Sequence, residues 1–176
     1  MRFYSNGKLL ITGEYVILDG ALSLAVPSLL GQSLEVTNNE SKHIKWLSKN
    51  SDGRVWFNCT IRIDSLKVEK TSSSDISNKL TDIIKVIREV NPTFLNKSGL
   101  DITSELTFDK DWGLGSSSTL ISNLSQLARI DPYELNNRVF NGSGYDMKSQ
   151  YEQDLDILRS VGVPEESMRR IFTEYA

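Results

Sequence analysis

Hydrophobic residues recur along this chain with two periods, and the change of period divides it. In the first part, short apolar runs alternate with turn residues. Phe3 to Lys8, Leu9-Leu10-Ile11 and Tyr15 to Leu18 predict strands, punctuated by Gly7, Gly13 and the hairpin pair Asp19-Gly20. Leu22 to Val26 predicts a further short strand ended by Pro27. Gln32 to Asn38 and Lys42 to Leu47 follow, joined by Asn38-Asn39-Glu40-Ser41, and after the turn at 49–53, Arg54 to Val68 predicts one or two more strands. Then the spacing becomes helical: Ile76, Leu80, Ile83, Ile84, Ile87 and Val90, with Ser74 or Asp75 as N-cap and Asn91-Pro92 as the stop. Ser98 to Phe108 alternates Leu100, Ile102, Ser104, Leu106 and Phe108, a strand with one buried face. Leu120, Ile121, Leu124, Leu127 and Ala128 return to helical spacing, and Asp131-Pro132 opens another short helix. Asn141-Gly142-Ser143-Gly144 reads as a loop. Beyond it, Tyr151, Leu155, Leu158, Val161 and then Met168, Ile171, Phe172, Tyr175 form two helical patterns divided by Gly162-Val163-Pro164. The pattern predicts an α+β fold: a mixed, mainly antiparallel sheet backed on one face by helices near 76–90 and 116–129.

Between that last strand and its following helix lies Asp111-Trp112-Gly113-Leu114-Gly115-Ser116-Ser117-Ser118-Thr119. Glycines permit a tight turn and a close backbone approach. A helix beginning in the serine run turns free N–H groups and its positive dipole end toward whatever the turn encloses. That arrangement suits a phosphate. A serine-capped helix with no ligand has the same composition. No lysine follows the second glycine, so this is not a Walker loop, and any phosphate would be held by amides and hydroxyls.

Bulk properties narrow the classes. At 176 residues, with 39% hydrophobic and 24% charged residues, the chain reads as one soluble globular unit with a real core. A net charge of −3 gives no basic footprint for nucleic acid. The single cysteine, Cys59, excludes an internal disulfide framework and fits a reducing, cytoplasmic setting. One histidine, His43, is too few for a histidine-based zinc site. No run is long enough to cross a membrane, and the first residues lack a signal-peptide pattern.

Three segments in order resemble the motifs of the GHMP kinases (galactokinase, homoserine kinase, mevalonate kinase and phosphomevalonate kinase). Residues 7–20, with Gly7-Lys8 and Gly13-Glu14-Tyr15, resemble the first motif, in wording nearer the mevalonate and phosphomevalonate kinases. Gly113-Leu114-Gly115-Ser116-Ser117-Ser118 resembles the phosphate loop, and Gly142-Ser143-Gly144-Tyr145-Asp146 the segment carrying the active-site aspartate. The resemblance implies a ribosomal-protein-S5-domain-2-like fold over residues 1–146, with 147–176 as a helical remnant of a second domain. It implies a kinase that moves the ATP γ-phosphate, with Mg²⁺, onto a hydroxyl or phosphate of a mevalonate-pathway substrate. The alternative is a catalytically incomplete fragment or a nucleotide-binding or interaction module.

By motif position, residues 113–118 would cradle the phosphates and Ser117 would stand beside Mg²⁺. Lys8 and Asp146 would be catalytic, and Glu14, Tyr15 and Ser143 would lie near the substrate, Glu14 either there or anchoring its motif. Glu134, in the helix before the aspartate loop, would be a second metal carboxylate, although the helix dipole equally accounts for an acid there. A small-molecule substrate is expected, with no nucleic acid and no membrane partner, and a homodimer is left open. The sequence departs from the family in having Phe108-Asp109-Lys110-Asp111-Trp112 where the loop usually begins with proline, in Ser118 where alanine is usual, and in lacking the third, glycine-rich motif.

Overall fold

The computed structural model describes residues 1–12, 24–95 and 98–140. Among these residues six strands form one sheet: β1 (Arg2–Thr12), β2 (Leu24–Asn39), β3 (His43–Lys49), β4 (Val55–Arg62), β5 (Val68–Thr71) and β6 (Gly99–Leu106). Three α-helices among the described residues accompany it: α1 (Ser74–Val90), α2 (Ser116–Ala128) and α3 (Pro132–Phe140). The strand order is β1-β2-β6-β3-β4-β5, with every neighbour antiparallel except β3 and β6. The α+β architecture expected from the change of period is the one observed.

Alternation explains how the helices attach. Ile44, Trp46 and Ser48 on β3, Phe57, Cys59 and Ile61 on β4, and Leu100, Ile102, Ser104 and Leu106 on β6 are all buried. On the opposite face Lys45, Asn58 and Asp101 are exposed. Against the buried face pack Leu80, Ile83, Ile84 and Ile87 of α1, Ile121, Leu124 and Ala128 of α2, and Leu135 of α3. Asn91 joins two helix ends: it follows the last residue of α1, and its Nδ2 donates to the Ala128 carbonyl of α2 at 2.8 Å.

Two breaks read from the sequence are absent. Gly7 does not interrupt β1, and Pro27 does not end a strand, because β2 runs through it for 16 residues. Pairing of β2 with β6 begins only at Gln32, so the missing N–H of Pro27 costs no bond on that side. On the other side β1 slips its register between Asn6 and Lys8, opposite Pro27. The α1 N-cap is Ser73, one residue before the expected position. The segment Tyr15–Leu18, the Asp19-Gly20 pair, the loop at 141–144, the two helical patterns of the tail and the domain boundary at 146 lie outside the described residues. Among the described residues no helix is long and apolar enough to cross a membrane.

Cys59 gives the core a titratable reporter. Burial pushes its thiol up to about 11 from an ordinary value of 9.0. The unfolded thiol ionises first, so stability is full below pH 9.0 and falls as pH rises toward 11. We expect the melting temperature of the wild type to drop across that window more than that of Cys59→Ala. Parallel pH–melting curves for the two proteins would contradict the assignment.

Candidate functional site

The glycine turn is built from both sides. Thr107, just after β6, donates its N–H to the Gly31 carbonyl at 2.9 Å, and its Oγ1 accepts from the Gly31 N–H at 2.7 Å. Phe108 is buried, and Asp109 then caps a single 3-10 turn, Lys110–Trp112, by accepting from the Asp111 N–H at 3.0 Å. Gly113 and Gly115 both lie in the left-handed region, at φ 70° and 75°, where other residues are strained. Between them Leu114 is buried with Leu106 and Phe108, and the half-buried Leu30 packs against them. This side chain plugs the turn into the sheet, leaving the backbone on either side of it at the surface.

Strand β1 fixes the turn from beneath. The Lys8 N–H donates to the Leu114 carbonyl at 3.1 Å. A Cβ on Gly7 would stand 2.8 Å from that same carbonyl oxygen and 3.2 Å from the Leu30 carbonyl. Gly7 is therefore glycine because the loop backbone lies directly upon it, which is why a glycine appears within a continuous strand. The Lys8 side chain is buried, and its stem crosses the second glycine: a Cβ on Gly115 would lie 3.7 Å from Cγ and 3.9 Å from Cε. Two sequence segments more than 100 residues apart are thus in direct contact.

Helix α2 starts immediately after. Its first amide with a backbone acceptor is that of Thr119, on the Gly115 carbonyl at 3.0 Å. The amides of Ser116, Ser117 and Ser118, and their three hydroxyls, make no hydrogen bond with a described residue. The helix itself is firmly tied down. Asn123, wholly buried, donates to the Gln32 carbonyl at 2.9 Å and accepts from Ser5 Oγ at 2.9 Å, while Ser5 Oγ also lies 2.8 Å from Ser122 Oγ. An anion at this end would meet fixed N–H dipoles that need no reorganisation.

The acidic residues leading into the turn are directed elsewhere. Asp109 is occupied as the cap, and Asp111 pairs with Lys110 Nζ at 2.6 Å. The hydrogen bond from Lys110 to Asp111, aided by its charge, holds the Lys110 ammonium above its ordinary value. Glu134, in the first turn of α3, pairs with Arg138 at 2.8 Å. Among the described residues no group of three or more His, Cys, Asp or Glu side chains gathers at a point. Magnesium usually keeps several waters and takes one or two carboxylates plus phosphate oxygens. The Ser116–Ser118 hydroxyls are hard oxygen donors suited to such an ion once phosphates are present. Glu14, Tyr15, Ser143 and Asp146 lie outside the described residues.

A cavity of about 430 Å³ opens beside the start of α2. Ser116 and Ser117 form one wall, Lys79 and Leu80 of α1 another, and Trp46, Trp56, Ser48 and Ser104 its sheet side. The sequence reading missed it. Its lining is drawn from β2, β3, β4, β6 and three helices, and the one local signal was a serine, Ser104, on an otherwise apolar stripe.

With this geometry the chain carries the fold of the N-terminal half of the GHMP kinases. Mevalonate kinase from Methanococcus jannaschii superposes with a TM-score of 0.60 at 15% identity, over 85% of this chain and 50% of that one. Phosphomevalonate kinase from Streptococcus pneumoniae, solved with phosphomevalonate and AMPPNP, gives 0.59 at 17% identity over 85% and 46%. Galactokinase from Lactococcus lactis, solved with galactose, gives 0.58 at 19% identity over 85% and 37%. The chain spans about half the length of the first solved structures it matches, or less. No family model and no curated protein matches the sequence.

Proposed function

We propose that this chain binds the triphosphate of ATP on the amides of residues 113–118 and serves phosphoryl transfer to a small molecule. One observation carries the reading: Lys8, more than 100 residues away in sequence, lies across Gly115 beside the amides at the start of α2. A γ-phosphoryl group in transfer needs charge stabilisation and alignment more than covalent chemistry. Fixed amides, serine hydroxyls and one buried ammonium are parts of that kind. By its position in the motif, Ser117 would stand beside Mg²⁺, which would screen the phosphates. The cavity continuing from Ser116 and Ser117 is of a size to hold the nucleoside. Support for the acceptor comes from the fold relatives, whose names point to mevalonate, phosphomevalonate or a sugar. The motif resemblance favours a mevalonate-pathway hydroxyl or phosphate, with Asp146 accepting its proton and Glu14, Tyr15 and Ser143 nearby.

A second reading, nucleotide binding without turnover, is favoured by the engagement of Glu134 with Arg138. The test separates the two. Titration calorimetry with Mg-ATP should show binding that Ser117→Ala weakens by about tenfold or more. Coupled turnover with mevalonate, phosphomevalonate and galactose then distinguishes a kinase from a binder. Absence of heat at millimolar Mg-ATP would remove both readings.

A further inference from the structure

Two serines occupy places on the sheet's buried face where their neighbours are apolar. Ser48 follows Ile44 and Trp46 on β3, and Ser104 lies between Ile102 and Leu106 on β6. The two are register partners in the parallel pair, 3% and 2% exposed, and both line the cavity. Trp46 Nε1 donates to Ser48 Oγ at 2.9 Å, and Ser104 Oγ lies 2.8 Å from Ser48 Oγ.

Hydrogen bookkeeping makes this pair informative. Each hydroxyl has one hydrogen and can accept twice. One of the two hydrogens lies between the oxygens, whichever serine donates it. The other has no acceptor among the described residues, and a buried donor left unspent is costly. Ser48 cannot turn away without abandoning the Trp46 indole. The spare hydrogen therefore belongs to whatever fills the cavity. Trp46 and Trp56 line the same space, which suits a flat aromatic occupant.

We infer that the Ser48–Ser104 pair, braced by Trp46, is the element that selects the nucleotide's base, giving a hydrogen bond to a ring-nitrogen acceptor of a purine. The inference rests on the nucleotide reading above and is separable from it. The pair lies on the sheet side of the cavity and the phosphates at its α2 wall, so base and phosphate contacts divide between them.

The experiment titrates the full chain with three Mg²⁺ complexes. These are ATP, an indole-riboside triphosphate with the purine outline but none of its ring acceptors, and tripolyphosphate. The wild type should bind ATP about tenfold more tightly than the indole analogue. In Ser48→Ala/Ser104→Ala that preference should disappear while tripolyphosphate affinity stays unchanged. Equal wild-type affinity for ATP and the indole analogue would overturn the inference and leave the phosphate site standing; because this comparison uses only wild-type protein, it is immune to misfolding of the variant. Failure of the wild type to bind either ATP or tripolyphosphate would overturn the nucleotide reading and this inference together.

Discussion

Gly7→Val should detach the glycine turn from the sheet and abolish measurable Mg-ATP binding. A side chain there would meet the Leu114 carbonyl at 2.8 Å and the Leu30 carbonyl at 3.2 Å, and both are backbone atoms that cannot swing aside. Either β1 or the turn must move, and the Lys8 N–H then loses the Leu114 carbonyl. Overpacking of this kind costs about 1–3 kcal/mol, so the domain should still fold. The loss of binding should exceed what that destabilisation alone produces. Gly53→Ala serves as the comparison. Unlike Gly7 it sits at positive φ, and nothing lies within 4 Å of its added methyl group. It should lower stability by about 1 kcal/mol and leave Mg-ATP affinity alone. Equal effects of the two substitutions on affinity would show that the contact between β1 and the turn does not shape the site.

Lys8→Met should produce the second large effect, on charge rather than shape. Methionine retains an apolar stem to lie over Gly115 and discards the ammonium. Stability should change little, while Mg-ATP affinity should fall and become less sensitive to salt. If the chain turns over, the rate should drop by about 10²–10³, the usual cost of removing one stabiliser of charge developing in the transition state. Melting curves, calorimetry at two salt concentrations and the coupled assay read these outcomes separately. Unchanged affinity and unchanged turnover would take Lys8 out of the site.

The parts of this molecule that follow from local period were legible in the sequence. The strand from Gly99, the glycine turn and α2 stand where alternation, the two glycines and the spacing of Leu120 to Ala128 put them. So does α1, within a residue of its expected start. The length of β1 and β2 was not legible, because Gly7 and Pro27 are breaks by local rule. Each is tolerated for a tertiary reason, Gly7 by the turn lying on it and Pro27 by having no partner strand on one side. Contact between Lys8 and Gly115 was implied by resemblance to a kinase family, and no spacing in the chain could have given it. The cavity was hidden for a like reason. Its walls come from strands and helices far apart in sequence, and only the misplaced polarity of Ser104 hinted that the sheet's buried face was not wholly core.

The central claim is that main-chain amides at the start of α2 grip a triphosphate. Amide resonances recorded with and without Mg-ATP test it most directly. The account predicts that the largest shifts and the new protection from exchange fall on Leu114, Gly115, Ser116, Ser117 and Ser118, with little change along β5 at the far edge of the sheet. Those amides remaining unmoved at saturating Mg-ATP, or the shifts gathering elsewhere, would contradict it.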